Sequence, residues 1–197
     1  MPRREYKDIL IFVVTLLVAN YAWKWSVTGD EGDTLVLLWR HWNISAPFEV
    51  MAKHIAAMVY AVVSLFRDTA YMPGDHVIRF ATGNAVSIVW SCTALKQSFI
   101  WLCLLLTTPG GWRHKTWFIP FGWLCIYLFN IARIAAIALF IEFHPTWFTF
   151  LHEYLFKYLF YIMLFALWVW FTEKIRPSSG HDSAFQGTSD SSDKKAK

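Results

Sequence analysis

The sequence predicts an all-α, multi-pass membrane protein, and three observations carry that expectation. Of its 197 residues, 56% are hydrophobic and only 16% are charged, against about 25% charged in an average soluble domain. Twelve Trp, seventeen Phe and eight Tyr are far more aromatic mass than a soluble fold of this length accommodates. The apolar residues also fall in long blocks, as a bilayer-spanning helix requires. A soluble globular enzyme and a disordered chain are thereby excluded. So is a disulfide-stapled secreted module, because the three cysteines are odd in number and Cys103 and Cys125 lie inside apolar runs. The net charge of +4 sits mostly at the ends and in loops, which suits membrane orientation and not nucleic-acid binding.

The first apolar run, Ile9 to Trp25, follows Arg3, Arg4 and Lys7. No small-residue cleavage site follows it, and it ends in Tyr21, Trp23 and Trp25, so it reads as a retained helix and not a cleaved signal. A polar stretch with Gly29, Asp30, Glu31, Gly32 and Asp33 comes next. Phe48 to Phe66 has helical periodicity, with Met51, Ile55, Met58, Val62 and Phe66 on one face and Lys53, His54, Ala57, Ala61 and Ser64 on the other. That pattern predicts an amphipathic helix lying at the interface or packed on its neighbours. Val77–Phe80 and Ala85–Trp90 are β-prone runs around Ala81-Thr82-Gly83-Asn84, which predicts a short hairpin outside the bilayer core.

Three further helices are expected, over Thr93–Thr108, Trp117–Ile141 and His152–Thr172. About four transmembrane helices, one interfacial helix and a hairpin-like extracytoplasmic segment thus form one integral-membrane domain over 1–176. A disordered, polar cytoplasmic tail over 177–197 follows. Arg113, His114 and Lys115 form a basic loop without acids, and Lys174 and Arg176 close the last helix. Positive residues stay inside, which places both termini in the cytoplasm and requires an even number of crossings. Helices starting near residues 9, 93, 117 and 152 give four and leave 48–66 uncrossed. The alternative is a fifth span paired with Leu35–Trp42, a short segment that carries Arg40 and His41.

This topology brings three residues to one membrane depth on the outer side. Cys92 stands at the outer start of its helix, in Ser91-Cys92-Thr93-Ala94-Leu95-Lys96-Gln97. A helix N-terminus favours a thiolate, as does a lysine one turn on, here Lys96. Arg133 is 16 residues beyond Trp117, about 24 Å along a helix that starts inside. An arginine there is costly in lipid, so it reads as a fixed cation for an oxyanion or a carboxylate. Asn130, one turn earlier, is placed to orient it, and Ala132, Ala135 and Ala136 permit close helix approach. His152, at the outer start of the last helix, is the candidate proton carrier, with His144 as its competitor. Glu153 follows His152 but points elsewhere on a helix. Each residue also has a plainer reading: a small apolar Cys, a snorkelling Arg, a wet interfacial His. Cys103 and Cys125 take the first of these, and Lys53 and Lys157 read as snorkelling. No zinc spacing and no phosphate-cradling glycine loop is present, so no metal or cofactor is expected.

The order Ser91-Cys92-Thr93-Ala94-Leu95-Lys96, then Asn130-Ile131-Ala132-Arg133-Ile134, then Leu151-His152-Glu153-Tyr154 resembles the exosortase/archaeosortase family over residues 70–173. The resemblance implies a sortase-like cysteine transpeptidase or protease in the plasma (inner) membrane. Its partners would be exported proteins with a C-terminal sorting signal, made of a short motif, a hydrophobic helix and a basic end. The new C-terminus would pass to a lipid or glycan acceptor. By position, Cys92 would be the nucleophile, Arg133 the transition-state cation and His152 the acid/base, with Asn130, Lys96 and Thr93 in support. Members often carry Gly two residues after the Cys, where this chain has Ala94. Two other classes fit the residues: a non-enzymatic scaffold or small transporter, and a cysteine-dependent membrane acyltransferase.

Overall fold

The computed structural model of the protein describes residues 3–29 and 35–175. The acidic residues Asp30, Glu31 and Asp33, and Arg176 with the expected tail, lie outside them. The fold is helical. Helix α1 covers Arg3–Ser26 and runs into a small antiparallel sheet of β1 (Val27–Thr28), β2 (Leu37–Leu38) and β3 (Trp42–Asn43). Helix α2 covers Ser45–Ser64 and leads to an antiparallel meander of β4 (Tyr71–Gly74), β5 (Val77–Arg79) and β6 (Ala85–Ser87). A 3-10 turn at Trp90–Thr93 precedes α3 (Leu95–Thr107), and α4 covers Trp112–Ile141. The last segment is a 3-10 turn at Pro145–Trp147, a π-helical turn at Phe150–Leu155, α5 at Phe156–Trp170 and a second π-helical turn at Phe171–Ile175.

Among the described residues, four helical stretches are long and apolar enough to cross a membrane: Tyr6–Ser26, Ser45–Ser64, Trp112–Ile141 and Pro145–Glu173. Helix α3 is shorter than expected at 13 residues, about 20 Å, so the bounds of the predicted Thr93–Thr108 helix are corrected to Leu95–Thr107. Ala94 adopts a left-handed backbone (φ 58°) and breaks the chain there. The basic trio Arg113, His114 and Lys115 is not a loop but the first turn of α4. Lys115 is buried and donates to the carbonyl oxygen of Leu106 at 3.2 Å, neutralising the carbonyl end of α3.

The hairpin is present in the expected register region, with Val77 opposite Ser87, Ile78 opposite Val86 and Arg79 opposite Ala85. Gly83, at φ 91°, makes its turn. Leu35–Trp42 is not helical; it contributes to the first sheet, whose two-residue strands leave no periodic signal. In α2 the buried face is Phe48, Ala52, Ile55, Ala56, Val59 and Val63. That stripe is rotated from the expected one, and Met58 and Phe66 are exposed. The reason is steric: α2 packs along α4, where the small Ala56 allows close approach.

The buried residues divide into two large clusters stacked along α4. One joins Phe12 of α1, Trp101 and Leu104 of α3, Phe118 and Ile126 of α4, and Leu164 of α5, forming a helical bundle. The other joins α2, the meander, Cys92, the last turns of α4 from Ile131 to Ile141, and Leu151, forming a cap. Asn84 locks the meander to α4 by donating to the carbonyls of Ile141 (3.3 Å) and Glu142 (2.8 Å). The buried Glu142 carboxylate is paired with Arg67 Nε at 2.8 Å.

Bundle packing relies on Gly122. A β-carbon there would collide with the Trp101 indole, whose N–H donates to the Ile119 carbonyl at 3.3 Å. Gly122→Ala is therefore expected to destabilise the protein by roughly 1–3 kcal/mol, the usual scale of overpacking. Thermal unfolding in detergent checks this; an unchanged Tm would show that Trp101 does not need the space.

Candidate active site

The junction of cap and bundle holds Cys92. The residue is buried and belongs to the 3-10 turn, not to α3 itself, which corrects its placement at a helix start. The left-handed Ala94 separates it from Lys96, so the two do not sit one α-helical turn apart. The turn is fixed locally by Thr93 Oγ1, which donates to the Trp90 carbonyl at 2.7 Å. It is fixed across the fold by Asn130, whose Nδ2 donates to the Cys92 carbonyl oxygen at 2.7 Å. Asn130 therefore positions the cysteine and not, as expected, the arginine.

Arg133 lies one turn beyond Asn130, buried to within 8% of its surface. Counted from Trp112 it stands 21 residues into α4, about 30 Å along and further than the expected start allowed. The guanidinium and the Cys92 thiol are electrostatic neighbours. Its carbon stands 5.9 Å from the centre of the Phe160 ring, and its buried Nε has no hydrogen-bond partner among the described residues. A buried cationic N–H in that state is ready to receive an oxygen ligand. Of the alanines expected to ease packing here, Ala135 is buried and Ala132 and Ala136 are exposed.

His152 is half-buried in the π-helical turn and stacks on Phe148 with ring centres 5.3 Å apart. It lines a cavity of about 420 Å³ together with Arg133, Ser91, Lys96 and Gln97, and Glu153, expected to point elsewhere, lines the same cavity. His144 is elsewhere, exposed and tilted against Phe140 at 5.3 Å. The structure thus brings His152, Arg133 and the residue preceding Cys92 to one cavity. Thr93 faces the adjoining cavity, of about 690 Å³, which shares Ser91, Lys96 and Gln97 with the first.

Several lining residues escaped the sequence reading. Tyr154, Lys157, Tyr158 and Tyr161 all face the cavity. Their spacing of three, four and seven residues is a polar-aromatic stripe on one helix face, which is the signal that could have found them. Lys157 therefore lines a cavity where snorkelling was expected, and Lys53 instead bridges Glu49 and Asp75, each at 3.0 Å. Among the described residues no group of three or more His, Cys, Asp or Glu is placed to hold a metal. Compared with protein-family models, curated proteins and solved structures, the chain finds no match in any of the three.

The turn makes its own prediction. A left-handed backbone costs a β-carbon roughly 1–2 kcal/mol, and glycine escapes this cost. Ala94→Gly is expected to hold or raise Tm, and Ala94→Val to lower it. A lower Tm for the glycine variant would contradict the strain assigned to this position.

Proposed function

We propose that the protein is a membrane-embedded cysteine transpeptidase or protease of the exosortase/archaeosortase type. It removes C-terminal sorting signals from exported proteins through a thioester on Cys92 and transfers each protein's new C-terminus to an acceptor. The observation that carries this reading is the hydrogen bond from Asn130 to the Cys92 carbonyl. It fixes the turn that carries Cys92, an electrostatic neighbour of a buried arginine whose Nε awaits an oxygen. Ser91, the residue before Cys92, lines the cavity that holds that arginine and a histidine.

Element lengths support the membrane placement. Helix α4 has 30 residues, about 45 Å, against a hydrocarbon core of about 30 Å. Its bundle portion fills the bilayer, and its last turns project with the cap. The Lys53 pairs with Glu49 and Asp75 are exposed at the middle of α2, and Asp75 comes from a sheet whose open edges lipid would not tolerate. These features favour α2 lying outside the hydrocarbon although it is long enough to cross. With the short α3 as the remaining crossing beside α1, α4 and α5, four crossings leave the Cys92 site at the extracytoplasmic boundary and both termini inside.

The chemistry balances with this chain's residues alone. The Cys92 thiolate attacks the scissile carbonyl carbon, forming a C–S bond, and the displaced electron pair moves to the oxygen beside Arg133. Collapse breaks the C–N bond, and the departing amine takes a proton from the His152 imidazolium. An acceptor amine or hydroxyl then attacks the thioester, gives its proton to His152 and expels the thiolate. His152 is preferred to His144 because it shares the cavity with Arg133. The position that favours glycine in the family is here the left-handed Ala94, which supports the same loop geometry.

Replacing the gene in its native host tests this without knowing the motif. In the Cys92→Ala strain, exported proteins that normally lose an apolar C-terminal tail should retain it, visible by mass spectrometry of their C-termini. Turnover should fall on the order of 10³-fold or more, as when a nucleophile is removed. Arg133→Lys should behave alike, because a point charge lacks the planar fork. Cys103→Ala and Cys125→Ala should match wild type. Unchanged tails in the Cys92→Ala strain would favour a scaffold or transporter.

A further inference from the structure

Resting on the reading of this cavity as a catalytic site, we infer that its rim is also an anion site, in which Lys96 and Lys157 hold a phosphate ester. The argument begins with charge balance. Lys96, Lys157 and Arg133 line the cavity, and among the described lining residues Glu153 supplies the only carboxylate. The electrostatic neighbours of Lys96 are two more ammonium groups, Lys157 and Lys24. Lys24 lines the adjoining cavity, which shares Lys96 as a wall. None of these three lysines has an ion pair among the described residues. Like charges gathered at one place repel unless an anion joins them, and the buried, unpartnered Nε of Arg133 points to the same need.

The donor set selects phosphate over a carboxylate. A carboxylate offers two oxygens and one charge. A phosphate ester offers more oxygens, carries up to two charges, and so satisfies two ammonium groups while leaving an oxygen for a tyrosine hydroxyl. Tyr154, Tyr158 and Tyr161 line the same cavity, and the first two are exposed. Exposed Tyr and Trp side chains, here joined by Trp25 beside Lys24, mark the level of lipid headgroups in a bilayer. A phosphate held there would bring an attached hydroxyl or amine toward the Cys92 thioester, so the site would select the acceptor. The phosphate can belong to a lipid headgroup or to a soluble ester.

Native mass spectrometry of the full-length Cys92→Ala protein in maltoside detergent tests this independently of any catalysis. The probes are phosphatidylglycerol, diacylglycerol and glycerol 1-phosphate. Phosphatidylglycerol should be retained and diacylglycerol should not. Lys96→Gln/Lys157→Gln should weaken retention at least about tenfold, the scale of lost charge-assisted contacts. Lys96→Arg/Lys157→Arg should keep it, which separates charge loss from misfolding. Retention of glycerol 1-phosphate equal to that of phosphatidylglycerol would assign a soluble ester; retention of the lipid alone would assign a headgroup. Equal retention of diacylglycerol, or retention indifferent to the double glutamine variant, would overturn the anion site. Because Cys92 is absent here, failure would leave the transpeptidase reading standing. Success alongside normal tail removal in the Cys92→Ala strain would leave an anion site without that enzyme.

Discussion

The hydrogen bond from the Asn130 side chain to the Cys92 carbonyl is the contact on which the arrangement of the site depends. Both partners are buried, so its loss would leave a carbonyl or an amide without water to replace the missing partner, at a cost of about 1–3 kcal/mol. It joins a short turn, which has little stability of its own, to the most extensively buried helix of the protein. Once the turn is pinned there, Arg133, one helical turn beyond Asn130, is an electrostatic neighbour of the thiol. Thr93 and the left-handed Ala94 complete the constraint from within the turn.

Around that contact the molecule divides by solvent as much as by sequence. The bundle cluster is built from large aromatics and leucines that tolerate lipid on their outer faces. The cap cluster is built from alanine, valine and isoleucine, with ion pairs such as Arg67–Glu142 at its edge. Helix α4 contributes to both, and Cys92 and Ala94 fall on opposite sides of the division. Under the proposed function, a peptide bond presented at this level would meet Cys92 in a dry setting and a cation with a free donor, and acceptor groups would reach it from the lysine-lined rim.

Much of this was legible because periodicity reports burial. The apolar blocks gave the helices, the alternation around Gly83 gave the β5–β6 hairpin, and Arg133 stood out because charge in an apolar run demands a reason. The parts that stayed hidden are physical in kind. Alanine is no turn signal, so the break at Ala94 was invisible, and with it the separation of Cys92 from α3. A π-helical turn leaves no compositional trace, which hid the setting of His152. Small residues weigh little on hydropathy scales, so a packed face of α2 that includes Ala56 leaves only a weak signal. Lys157 looked like a snorkelling lysine because a sequence shows a side chain's length but not the cavity it borders.

The central claim is that Cys92 is a reactive thiol on the extracytoplasmic side, kept so by Arg133. Its most direct test is the labelling rate of each cysteine by a small, membrane-impermeant methanethiosulfonate, applied from either face of oriented membranes. The account predicts fast labelling from the outer face, confined to Cys92 and slowed roughly tenfold by Arg133→Gln as the neighbouring cation is lost. Labelling from the cytoplasmic face, or a Cys92 rate indifferent to Arg133, would contradict it.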